Sequence, residues 1–270
     1  MTGVAGVMAV VLAEAVAGAT VFLWVSPLWT EVKRGFFKLL GSILTVIAGL
    51  TWLSVDAAVV GPRGFVDSDI LRVSTLAAAL ITLVWTVLLF ARQSAVARIV
   101  GLLSVPAWLN VLFWMSGAGR QSFLLALFQL VAGTALLGAS TDGLLLGHWY
   151  LTDRKLPRRP IDRMTTILLV SVVAAAAAVI SAGFGGVEGS AVINPLLTAG
   201  ALAPWIALGM VAATALIAAF IRAVLRGERA SAVQSATGFY YLAVVTAFTA
   251  EVAVKTRFLD TAFGGPPTPG

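Results

Sequence analysis

Cysteine is absent from the 270 residues and histidine occurs once, at His148. Without a thiol the chain cannot close a disulfide, hold an iron–sulfur cluster, bind zinc through sulfur or attack a substrate as a thiolate. One imidazole excludes a bis-histidine haem and any multi-histidine metal site built by this chain alone; only mixed ligation with a Met or a carboxylate is left. No serine lies in GxSxG, no HExxH or acidic metal-binding repeat occurs, and the Gly-rich stretch at 181–195 lacks the Lys of a phosphate-binding loop. With no nucleophile–base pair and no metal set, the chain is not expected to be an enzyme on its own.

Charge is scarce as well, at 11% of residues, against 60% hydrophobic. A helix needs about 20 apolar residues, at about 1.5 Å rise each, to cross a hydrocarbon core of roughly 30 Å. Eight stretches reach that length, at 4–25, 36–59, 70–91, 96–116, 121–149, 164–184, 196–221 and 231–252. They leave connections of little more than ten residues and no room for a soluble domain. The expected fold is all-α, a polytopic membrane protein of eight transmembrane helices forming one domain over 1–263, with a Gly/Pro-rich disordered tail at 264–270.

The basic residues gather on alternate connections. Lys33, Arg34 and Lys38; Arg92 and Arg98; Arg154, Lys155, Arg158, Arg159 and Arg163; and Arg222, Arg226 and Arg229 make thirteen on one side. Five fall on the other: Arg63, Arg72, Arg120, Lys255 and Arg257. Short Lys/Arg-rich loops stay cytoplasmic, which puts both termini on the non-cytoplasmic side of a cell (inner or plasma) membrane. The net charge of +6 follows from the same bias and from contact with anionic lipid, so it does not point to nucleic acid. No basic residue precedes Lys33, so the first segment reads as an uncleaved anchor and not as a secretory signal.

An offset of 125 positions aligns Gly18 with Gly143, Trp24 with Trp149, Lys33 and Arg34 with Arg158 and Arg159, and Lys38 with Arg163. These matches allow two parallel four-helix halves, 1–119 and 120–260, related by an axis along the membrane normal. Trp and Arg also recur wherever helices meet the interface, so the matches equally fit unrelated halves.

Ionisable groups within apolar segments are the usual mark of function in lipid. Glu14 falls near the middle of the first segment. Asp56 and Glu251 fall near outer ends, where headgroups are within reach. In the fifth segment Gln129, Gly133, Leu136, Ser140, Gly143 and Gly147 form one small and polar stripe, which predicts a central packing helix. Asp142 lies beside that stripe. His148 and Trp149 close the helix at interface depth, and Gln234 and Tyr240 reach the same depth from the eighth segment. Trp108, Asn110 and Trp114 make a weaker cluster at the outer side.

Two readings follow. His148, Asp142, Gln234, Tyr240 and Trp149 supply the hydrogen-bonding, proton-exchanging and aromatic groups that a quinone-like or lipid-like ligand would need near the cytoplasmic interface. This chain binds no other cofactor by itself, so such a subunit would draw electrons from a soluble or membrane redox partner. The eight-helix, 4+4 plan is similar in outline to cofactor-free quinol-handling anchors of the polysulfide-reductase membrane-subunit type, a similarity of architecture in which no motif is matched. The alternative is a small-solute or ion transporter, for which Glu14 and Gln129 are the midplane candidates. A scaffold or assembly role conflicts with no residue.

Overall fold

The computed structural model describes residues 3–58, 68–118, 122–153, 155–183, 195–227 and 230–259. Arg63, Arg120, Arg154 and Arg229, most of the Gly-rich 181–195 connection and the 264–270 tail lie outside them. The described residues form helices and no strand: α1 (Gly3–Val25), α2 (Leu28–Glu31), α3 (Arg34–Ala57), α4 (Ser68–Phe90), α5 (Ser94–Ser116), α6 (Phe123–Thr152), α7 (Arg159–Ser181), α8 (Pro195–Leu225) and α9 (Ala230–Phe258). All except α2 are long and apolar enough to cross a membrane.

The eight long helices sit where the apolar runs predict, with three informative differences. Helix α7 starts at Arg159, five residues before the expected 164, because Pro160 fits a first helical turn and needs no backbone donor. Helix α9 continues to Phe258, six residues past the expected 252, and so carries Lys255 into the helix. The single turn α2 was not expected from hydropathy; Thr30 holds it by donating to the Pro27 carbonyl at 2.8 Å.

Helices α1, α3, α4 and α5 pack as a closed circuit, each on the next and α5 back on α1; α6, α7, α8 and α9 repeat the pattern. The circuits meet through α1 and α6. In α1 78% of the membrane-length window is buried and in α6 61%, against 28–44% in the other six helices, so these two form the centre. The peripheral helices turn Leu83, Val87, Leu103, Phe113, Leu216 and Val245 outward, as a lipid solvent requires. The ends of the bundle are unlike. One carries the Arg-rich connections (the basic end); the other carries the starts of α1 and α6 and the end of α9.

The α1–α6 contact depends on two glycines. A Cβ on Gly18 would lie 2.0 Å from the Thr134 carbonyl oxygen, and one on Gly138 would lie 2.3 Å from the Gly18 backbone. The helices touch backbone to backbone, the contact that small residues permit in membranes. Replacing Gly18 or Gly138 by Ala should therefore separate the helices. We expect a loss of about 1–3 kcal/mol or more, typical of overpacking, measured by thermal unfolding in detergent. Gly49→Ala, which meets nothing within 4 Å, should leave the transition unchanged.

Candidate functional site

One helical turn of α9 sets Glu251 and Lys255 on the same face, four residues apart. Because α9 packs on both α6 and α1, that face looks into the centre of the bundle. Lys255 Nζ lies 2.8 Å from Glu14 Oε1 of α1 and 3.1 Å from Glu251 Oε2. It also donates to the Gln129 carbonyl of α6 at 3.3 Å. Lys255 and Glu14 have no exposed surface and Glu251 has 3%. Gly133 makes room for the cluster: a Cβ there would lie 2.6 Å from both Glu14 Oε1 and Glu251 Oε2.

The cluster is deep. Glu14 is eleven residues into α1 and Glu251 seven from the end of α9, about 16 Å and about 10 Å along their axes from the end opposite the basic loops. An isolated charge at that depth costs several kcal/mol, so an ammonium there needs its counter-ions within the protein. Two carboxylates surround one ammonium, one carboxylate more than a single cation pairs with. Glu14 Oε2 and both side-chain polar atoms of Gln129 are buried with no hydrogen-bond partner among the described residues. Beside Gln129, a void of about 10 Å³ reaches Val179 and Ala182, Pro204 of α8 and Arg257, about the space of one water. Arg257, one of its lining residues, donates to the Gly183 carbonyl at 2.6 Å.

This placement corrects two expectations. Glu251 is not at the headgroups, and Lys255 is not a loop charge; each is drawn inward by the other and by Glu14. Removing Lys255 from the loop tally makes the asymmetry of basic residues steeper. Asp56, in the last turn of α3, is half exposed and ion-paired with Arg72.

The groups near the basic end are not gathered around one space. Tyr240 is fully buried, its hydroxyl sharing a hydrogen bond with Thr165 Oγ1 at 2.9 Å, and its ring fills the gap left by Gly143. Gln234 and His148 are exposed on the outside of their helices. Trp149 lies over Gly35 of α3. Asp142 is buried on α6 with neither carboxylate oxygen bonded among the described residues. It sits four residues after Gly138 and seven before Trp149, and so faces α1 and α3 and not α9. Of the predicted residues, the structure therefore joins only Glu14 and, through its carbonyl, Gln129 to the ion cluster. Of the outer cluster, Trp108 is buried and donates to Thr82 Oγ1 at 3.0 Å, while Asn110 reaches Ser74 Oγ at 3.4 Å from an exposed position.

Sequence reasoning missed Lys255 and Glu251, although the spacing of four was a usable signal. Extending the 231–252 run by one turn places both on the buried face. Compared with known proteins, the chain matches no family model, no curated protein and no solved structure.

Removing one member of a buried ion cluster strands the others. Lys255→Met is expected to lower stability by about 3–5 kcal/mol. The triple change Glu14→Gln, Glu251→Gln, Lys255→Met should restore most of that loss, because no charge is then left unpaired. Unfolding of the single and triple variants in detergent measures both.

Proposed function

We propose that the chain is a small-solute or ion transporter of the cell membrane, coupled to protons at the Glu14, Glu251 and Lys255 cluster. The observation that carries this reading is a buried ammonium with one carboxylate too many, next to polar atoms that have no partner. A fully satisfied structural ion pair needs neither the second carboxylate nor the unfilled oxygen of Glu14. A proton or small cation is the natural complement to that excess charge, and intramembrane carboxylates of this kind line ion pathways and proton relays.

In this reading Glu14 takes up the proton on Oε2, the oxygen that Lys255 leaves free. Neutralising Glu14 loosens its hold on Lys255, which then leans on Glu251. Protonation thus redistributes the contacts between α1 and α9, the kind of bias that shifts a two-state helix arrangement. Gln129 and the small void beside it provide the approach from the end of the bundle opposite the basic loops. That end is taken as non-cytoplasmic on the strength of the basic-residue asymmetry.

A quinone-like ligand near the basic end draws less support. It calls for His148, Asp142, Gln234 and Tyr240 around a common space, and these side chains face the outside of α6, α1/α3, the outside of α9 and Thr165 respectively.

Proteoliposomes holding a pH-sensitive dye separate the two. Under an imposed proton gradient, Glu14→Gln should abolish protein-dependent proton flux while His148→Ala retains it. If Glu14→Gln conducts like the parent and His148→Ala instead loses bound quinone, the transport reading fails. Epitope tags placed in the 153–158 turn should be protected in intact cells; their labelling from outside would reverse the orientation.

A further inference from the structure

The basic end of the first helix circuit encloses a cavity of about 370 Å³, bordered by Trp29 of α2, Arg34 and Phe37 of α3, Leu89 of α4, and Ala95 and Arg98 of α5. A water molecule takes about 30 Å³ of liquid, so an organic group fits. The walls are rich in donors, and none of the lining side chains carries an acceptor. Neither guanidinium has a carboxylate partner among the described residues. Glu31 is engaged by Arg163 at 2.8 and 2.9 Å, and Asp153 by Lys33 at 2.8 Å.

Arg34 Nη2 donates to the Leu89 carbonyl and Arg98 Nη2 to the Trp29 carbonyl, the latter at 3.3 Å. A guanidinium has five N–H donors in all, so most remain unused. Arg34 Nε and Trp29 Nε1 are buried and meet no acceptor among the described residues. Two helices also start at this cavity, α3 at Arg34 and α5 at Ser94, and neither Lys33 nor Gln93 caps its helix with a side-chain bond. Their uncapped N–H groups and positive dipole ends add to the guanidinium charge.

Such a surplus of donors and positive charge in a partly apolar pocket calls for a ligand with several anionic acceptor oxygens and an apolar or neutral remainder. The Trp29 ring stacks with Phe37 at 4.0 Å and Trp24 at 5.3 Å, and the Arg98 guanidinium lies over it at 5.8 Å. With three groups already against its ring, the indole leaves little stacking surface, which disfavours a nucleobase. We infer that this cavity binds the phosphate of a phosphate ester, held by Arg34 and Arg98. The forked geometry of arginine suits phosphate oxygens two at a time. The ester is either the headgroup of a phospholipid or a soluble molecule arriving from the basic side. The site is at the other end of the bundle from Lys255 and is independent of what that cluster does.

Two binding measurements on the purified full chain separate the sources. Native mass spectrometry counts retained phosphatidylglycerol against phosphatidylcholine, and calorimetry titrates inorganic phosphate and glycerol 3-phosphate in a neutral detergent. Saturable binding in either arm is expected, and the arm that responds identifies the source. Arg98→Gln and Arg34→Gln should each weaken it at least about tenfold, as loss of a charge-assisted hydrogen bond does, and Arg98→Lys should recover part of the loss. Arg226→Gln removes the same charge from the same end, from the loop between α8 and α9, and should leave affinity within about twofold, the scale of a screened surface charge. Arg34 also holds α4 through Leu89, so should Arg34→Gln fail to fold, Arg98→Gln carries the test. No saturable binding in either arm, or an equal loss in Arg226→Gln, overturns the inference.

Discussion

Lys255 is an ammonium inside a bundle whose outer surface is Leu, Val and Phe, and its position is tolerable only because Glu14 and Glu251 reach it. That requirement ties the first long helix to the last. Glu14 comes from α1, Glu251 and Lys255 from α9, and the carbonyl of Gln129 from α6. Three helices must keep their rotations and depths for the ammonium to stay solvated by protein. Lipid offers no substitute partner, so the ion cluster fixes the geometry more sharply than apolar packing alone would.

Helix α6 is the element that makes this arrangement reachable. Its glycines divide the labour by height. Gly133 admits the two carboxylates, Gly138 lets α1 touch backbone to backbone, Gly143 receives the ring of Tyr240, and a Cβ on Gly147 would run into Thr237 Oγ1 at 2.5 Å. Two faces of one helix thus set the approach of α1 and of α9 along nearly the whole thickness of the bundle. The polar chemistry is segregated accordingly: the ion cluster lies toward one end, and the donor-lined cavity between α2, α3, α4 and α5 lies at the other. The circuits of α1, α3, α4, α5 and α6, α7, α8, α9 share one order of contacts, with α1 and α6 in equivalent places.

Much of the fold was legible because lipid imposes simple rules. Apolar length located all eight long helices, and the small-residue stripe from Gln129 to Gly147 marked α6 as central. The candidate site was legible only through Glu14 and Gln129. Lys255 was misread because a lysine near the end of an apolar run looks the same whether it snorkels to headgroups or turns inward to a carboxylate. Only the partner distinguishes the two, and Glu14 lies at the opposite end of the chain. His148 invited attention as the sole imidazole, yet rarity in composition says nothing about which way a side chain faces. The cavity at Arg34 and Arg98 was hidden for a related reason. Arginines in a basic loop are accounted for by topology, and the turn of helix that brings Trp29 over Phe37 carries no hydropathy signal.

The absence of native cysteine allows the central claim, contact between Glu14 and Lys255 inside the bundle, to be tested without background. In the double variant Glu14→Cys, Lys255→Cys, a short membrane-permeant bifunctional thiol reagent should join the two positions. After cleavage in the 184–194 connection the halves should then stay covalently linked on a denaturing gel. Two separate fragments, with both cysteines nonetheless reactive to a permeant maleimide, would mean that α1 and α9 do not bring these residues together.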